Sequence, residues 1–173
     1  KAWNLGLASA LACGAFTFLL GGGPVEMCCA FLGAGVGNFV RKKMLGHSIS
    51  LLANVAVSVA ASCLVYVLTI LLAQSLLSVS AVHQAGYICA MLFVIPGFPL
   101  ITGGIDLAKL DLRSGLERVS YALLIILTAT MTGWATAAIC QFQPADFEPL
   151  QLQKWTLLCF RLITSFCGVY GFS

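Results

Sequence analysis

Charge is what this chain has least of. Its 173 residues include nine Lys or Arg and six Asp or Glu, 9% charged in all, against 60% hydrophobic. Soluble domains carry roughly 25% charged residues. A chain of this length cannot hide so much apolar surface in a water-exposed globule, so the composition points to an integral membrane protein. The few basic residues form no broad patch interleaved with aromatics, which excludes a nucleic-acid surface. Only two histidines occur, His47 and His83, and nothing near either suggests a metal. There is no CxxC pair, no Cys/His cluster at zinc spacing and no Walker motif. No nucleophile–base–acid arrangement stands out. The expectation is therefore a protein that is not an enzyme and uses no metal or cofactor.

Eight cysteines are present, but nearly all lie inside apolar runs and read as small packing residues. The first apolar run lacks an Ala-x-Ala cleavage site and is followed at once by a second, which argues against a signal peptide. The chain begins at Lys1 without methionine and ends at Ser173 in an apolar run, so a piece of a longer protein is expected.

A spanning helix needs about 20 mostly apolar residues. Residues 2–20 supply the first candidate, rich in Ala, Gly and Ser. Gly21-Gly22-Gly23-Pro24 ends it, with Pro24 suited to the first turn of the next helix. The second candidate, 25–40, carries Ala30, Gly33, Ala34 and Gly37 as a close-packing stripe and is closed by Arg41-Lys42-Lys43. The third, 49–73, is the most uniformly apolar. The fourth is 85–102 and the fifth 118–140, with Ser114 and Glu117 matching a capping box in front of it. Arg113 could pair with Glu117 four residues on only if the turn before the box is helical. After a polar loop, a sixth apolar segment starts near Trp155 and contains Arg161.

The expected fold class is all-α and multi-pass, with five transmembrane helices plus the start of a sixth. Residues 1–143 would form a first five-helix half, 144–154 an extracytoplasmic loop and 155–173 the beginning of a second half. If each segment crosses once, Lys1, Arg41, Lys42, Lys43, Lys109, Arg113 and Arg118 share one side. The positive-inside rule makes that side cytoplasmic, and with it the N-terminal end.

The end of the fourth segment breaks the helical pattern. Pro96-Gly97-Phe98-Pro99-Leu100-Ile101-Thr102-Gly103-Gly104-Ile105-Asp106 puts two prolines, three glycines and an acid where a membrane helix should run on. Proline removes a backbone donor, and freed backbone groups are costly in hydrocarbon unless protein or water satisfies them. The expectation is a broken fourth helix, with roughly eighteen irregular residues ending at the Ser114 box, forming an inner gate or mouth. Pro96, Gly97, Pro99, Thr102, Gly103, Gly104 and Asp106 are candidate substrate or gate residues. Asn38 and Arg41 join them from the second segment, Arg41 as a contact for a carboxylate. Glu26 and Asp106 are candidate proton-coupling acids, since intramembrane acids often relay protons. The plain alternatives are an acid at a helix start for Glu26, a loop acid near Lys109 for Asp106, and a topology anchor for Arg41.

The run from Pro96 to Leu107, with Asp111-Leu112-Arg113-Ser114-Gly115-Leu116-Glu117-Arg118 after it, resembles the signature of the threonine/serine exporter (ThrE-type) family. The Gly21-to-Pro24 break and Asn38-Phe39-Val40-Arg41 fit as well. The resemblance implies an inner-membrane carrier exporting small amino acids at the expense of the proton gradient. It also implies two five-span halves, on one chain or two. The implied partners are the lipid bilayer, a small-molecule substrate and a second membrane half, with a homo-oligomer as a further option. Two other readings stay open: an exporter of a small dicarboxylate such as succinate, suited by the basic inner mouth, and a membrane assembly subunit without transport activity.

Overall fold

The computed structural model describes residues 2–46, 50–77, 84–142, 155–156 and 158–164. Side chains are described from Leu7 onward, apart from those of residues 77 and 84. His47, His83, Lys154, Cys167 and the polar loop 144–154 lie outside them. The elements run α1 Ala2–Leu19, α2 Pro24–Leu45, α3 Leu51–Leu77, α4 Gln84–Met91, a 3-10 turn Leu92–Val94, α5 Gly97–Ala108 and α6 Leu112–Ile139. Residues 158–164 are helical too, and no strand occurs among the described residues.

Two of these helices are long and apolar enough to cross a membrane, at Leu51–Leu76 and Leu112–Ile139. The pair Ala85–Val94 and Gly97–Ala108, bent by 70°, makes a third if it is one crossing. That is fewer than the five expected from the sequence. The physical reasons differ. α1 offers a shorter apolar helix, Leu7–Leu19. α2 has 22 residues, but Glu26, Asn38 and Arg41 interrupt its apolar run and Lys42 and Lys43 end it.

α2 is the centre of the bundle, packing on α1, α3 and α4. Its small stripe makes this possible. A Cβ on Gly33 would lie 3.0 Å from the Ser62 carbonyl oxygen, and one on Gly37 would lie 2.7 Å from the Ser62 Cβ. The packing role expected for Ala30, Gly33, Ala34 and Gly37 is therefore observed, and all four are buried. Around the stripe Cys13, Cys29, Val55, Val59, Cys63, Tyr66, Cys89 and Phe93 form one core. Of the seven described cysteines, all unpaired, four are buried there; Cys28 and Cys159 are exposed.

Two expected boundaries move. α2 continues through the basic cluster, placing Lys42 and Lys43 in its last turn, where cations suit the exposed carbonyls. α6 begins at Leu112, not near Arg118, because Asp111 rather than Ser114 is its cap: the Asp111 carboxylate accepts from the Ser114 N–H at 3.4 Å. The Ser114–Glu117 capping box is thus not formed. Arg113 and Glu117 lie on the first turns of α6 and pair at 3.5 Å, both well exposed. The α5–α6 turn is tight, with Leu110 at φ 63° and the Asp111 N–H bonded to the Asp106 carbonyl at 3.0 Å. That residue has the left-handed conformation common at helix ends, where glycine is the usual choice.

Candidate functional site

The chain breaks its helix between Val94 and Gly97. A residue before proline is driven extended, and Ile95 has φ −62° and ψ 121°. The expected eighteen-residue irregular element is accordingly much shorter. Pro99 sits in the first turn of α5, where a missing N–H has no helical partner to lose, so the twelve residues of Gly97–Ala108 are helical. The break is the bend itself, not the whole motif.

Helical hydrogen bonding lapses around this bend, and side chains from two other helices take its place. The Ile95 N–H bonds to the Leu92 carbonyl at 3.1 Å, and the Gly97 N–H to the Ile95 carbonyl at 2.9 Å. Arg41 of α2 donates from Nη1 to the Phe93 carbonyl at 3.2 Å. Ser62 of α3 donates its hydroxyl to the Ala90 carbonyl at 2.6 Å. The backbone of Arg41 is itself held, since Asn54 of α3 donates to its carbonyl at 3.3 Å. Asn38, one turn before Arg41, donates to the Ser9 hydroxyl of α1 at 2.7 Å, so it joins helices. Arg41 therefore does reach the broken helix, on its N-terminal side.

An apolar recess of about 640 Å³ opens at the bend, with Phe16, Ile95, Pro96, Gly97 and Pro99 among its walls. Beyond it α5 leaves the bundle and packs on α6. Gly103 is the contact point: its Cβ would meet Val119 Cγ2 at 2.9 Å and the Gly115 carbonyl oxygen at 3.2 Å. Gly97 and Gly104 face open space. Thr102 turns its hydroxyl onto its own helix, donating to the Phe98 carbonyl at 2.9 Å. A smaller recess of about 340 Å³ lies between α5 and α6, walled in part by Pro99, Thr102, Glu117, Arg118 and Tyr121.

Asp106 pairs not with Lys109 but with Arg118, whose Nη1 lies 2.8 Å from Oδ2; the contact is an ion pair without hydrogen-bond alignment. Arg118 is half-exposed, which keeps the pair modest. Glu26 is buried in the first turn of α2, and its carboxylate accepts from the Gly23 N–H. The two acids are thus in different settings: Asp106 on the α5–α6 hairpin, Glu26 inside the α1–α4 bundle.

Three residues with clear roles here escaped the sequence reading. Ser62, Asn54 and Arg118 hold the bend, Arg41 and Asp106. The signal for the first two was present: polar residues recur every fourth position along the third apolar segment, in a stretch that otherwise reads as uniformly apolar.

The chain belongs to the threonine/serine exporter (ThrE) family, whose model matches residues 1–140 of the 173. No curated protein and no solved structure matches it.

Proposed function

We propose that this chain is the first membrane half of a secondary transporter that exports threonine and serine while protons move inward. One observation carries the reading: in a chain of this family, a helix broken at Ile95–Pro96 has carbonyl groups held by side chains from α2 and α3. Broken helices in carriers present helix ends and unwound backbone to their substrates. A backbone tied by a guanidinium and a hydroxyl can exchange those ties for a substrate's carboxylate and ammonium. Arg41 is the carboxylate contact in this scheme. Asp106 is the proton-linked acid, exchanging Arg118 for a proton, with Glu26 as the second acid on the opposite side.

The topology follows the charge. Five crossings and the opening of a sixth put Arg41, Lys42, Lys43, Lys109, Arg113 and Arg118 in the cytoplasm, with the N-terminal end, in an inner membrane. α2 crosses although it is the least apolar, because Glu26 and Asn38 turn into the bundle while Leu32, Val36 and Phe39 face outward. The apolar faces of α5 and α6 meet lipid or the second membrane half.

The test is efflux from intact cells expressing the chain with its second half. Threonine and serine should leave several-fold faster than from cells lacking it, and collapsing the proton gradient should remove the difference. Asp106→Asn should insert normally and lose the gradient-dependent flux. Export of succinate with no effect on either amino acid would replace this reading with a dicarboxylate carrier. No flux of any of the three would leave an assembly subunit.

A further inference from the structure

The buried side of α3 carries a row of polar groups. Asn54, Ser58, Ser62 and Tyr66 recur every four residues and so stack along one face. Each is between 0% and 2% exposed. From Asn54 to Tyr66 the row covers about 18 Å of helix, at 1.5 Å per residue. The outward side of the same helix is apolar, with Val57, Leu64, Leu68 and Leu71 exposed.

Packing accounts for only part of this row. Ser58 donates to the carbonyl of Val55 in its own helix at 3.0 Å, and Ser62 to Ala90 at 2.6 Å. The two ends are different. Asn54 Oδ1 and the Tyr66 hydroxyl are buried and have no hydrogen-bond partner among the described residues. Such groups are rare in folded proteins and call for an explanation, more so in a helix apolar enough to lie in a membrane. The Tyr66 hydroxyl faces Gly86 of α4, where a Cβ would clash with its ring at 2.9 Å. Glu26 lies close enough to act electrostatically on Tyr66. The row thus runs from the neighbourhood of Glu26 to Arg41, past the carbonyl groups that precede the bend.

We propose that this row is one wall of the transport path for a small, net-neutral polar solute, covered in this state by α4 on one side and by the Gly33–Gly37 stripe of α2 on the other. The inference rests on the export reading and deepens it. The row offers an amide, two aliphatic hydroxyls and a phenol, all neutral and all able to donate and accept. It suits a hydroxyl-bearing zwitterion better than a dianion, for which it has no positive charge of its own. The α4 side of this cover is held at two points, Ser62 to Ala90 and Arg41 to Phe93, and ends at the Ile95–Pro96 bend. Movement of α4 about that bend frees the Ser62 hydroxyl for solute. Asn54 Oδ1 and the Tyr66 hydroxyl need break no protein bond to receive it.

The experiment is thiol labelling in membrane vesicles of the full chain, with Cys28→Ser and Cys159→Ser removing the two thiols exposed among the described residues and the parent's remaining rate subtracted. Ser58→Cys and Ser62→Cys report on the row; Val57→Cys and Leu64→Cys report on the opposite side of α3. A charged methanethiosulfonate reacts with thiolate in contact with water, so the row positions should label about ten-fold faster than the controls. Threonine should slow labelling of the row and succinate should not. Equal rates at all four positions, or labelling of the controls alone, overturns the path. Fast labelling of the row that threonine leaves unchanged upholds a water-filled path and overturns the hydroxy amino acid as its occupant, while threonine efflux measured in intact cells decides the export reading separately. Ser58 bonds only within its own helix, so Ser58→Cys carries the test if Ser62→Cys fails to fold.

Discussion

The bundle of α1 to α4 and the hairpin of α5 and α6 use glycine for the same purpose and reach different results. In the bundle, Gly33 and Gly37 bring α2 against both α3 and the 3-10 turn, and the close approach is reinforced by side-chain bonds to backbone, Ser62 to Ala90 and Arg41 to Phe93. In the hairpin, Gly103 and Gly115 bring two helices together at one point. α5 and the outer face of α6 are otherwise bare, with Phe98, Ile101, Leu110, Leu127 and Trp134 all more than 60% exposed, while Ile125 and Ala129 on the inner face of α6 join the bundle core. One region is closed on itself by packing and polar ties. The other is a two-helix arm joined to it through the bend and through α6, which also packs on α3. Small residues can join two helices on their own, and the bundle adds to them side-chain bonds onto backbone carbonyls. α5 packs chiefly on α6 alone, whereas α6 is anchored to the bundle through Ile125, Ala129 and the Tyr87 hydroxyl, which donates to the Gly133 carbonyl at 2.6 Å.

This contrast can be tested by loading each region in turn. The largest effect is expected at the centre. A Cβ on Gly37 would lie 2.6 Å from the Phe93 ring and 2.7 Å from Ser62 Cβ, so Gly37→Leu should cost about 3 kcal/mol through overpacking. Thermal unfolding in detergent should show a large drop in midpoint, and little protein should insert. A midpoint near that of the parent would mean the bundle is no tighter than the arm.

The polar tie comes next. Arg41→Ala leaves the Phe93 carbonyl without its donor, and an unsatisfied buried acceptor costs about 1–3 kcal/mol. Hydrogen exchange should rise at Leu92 to Ile95 while the α5–α6 turn is unchanged. Equal loosening of both regions would show that they are one unit.

The smallest effect concerns two adjacent glycines and should differ in sign. Gly103→Leu meets Val119 and the Gly115 backbone and should destabilise the arm by about 2 kcal/mol. Gly104→Leu has nothing within 4 Å and should stabilise the helix by up to about 0.8 kcal/mol. Unfolding midpoints of the two variants decide it. If both fall alike, the contact at Gly103 does not organise the hairpin.

Much of this was visible in the residues. Apolar length marked the helices, the Gly-Gly-Gly-Pro run separated α1 from α2, and the Ala30–Gly37 stripe marked a packing face. Pro96 marked the bend because proline acts on its immediate neighbours. The start of α6 was misread because Ser114–Glu117 and Asp111–Ser114 are both valid caps by local chemistry, and the tight turn at Leu110 chose the earlier one. Pro99, Gly103 and Gly104 suggested an unwound segment. Proline is harmless in a first turn and Gly103 is used for contact, so the segment is helix. Sequence proximity sets Asp106 near Lys109 without fixing a partner, and the hairpin brings Arg118 back beside it.

The sequence by itself determined the elements and the site of the bend, because hydropathy and proline act within a turn or two. Only the tertiary structure decided what holds the bend. Arg41 and Phe93 are 52 positions apart, and Ser62 and Ala90 are 28. Bringing each pair within hydrogen-bond distance depends on which helices pack together, and that is set by the surfaces of α2, α3 and α4 jointly rather than by any one stretch.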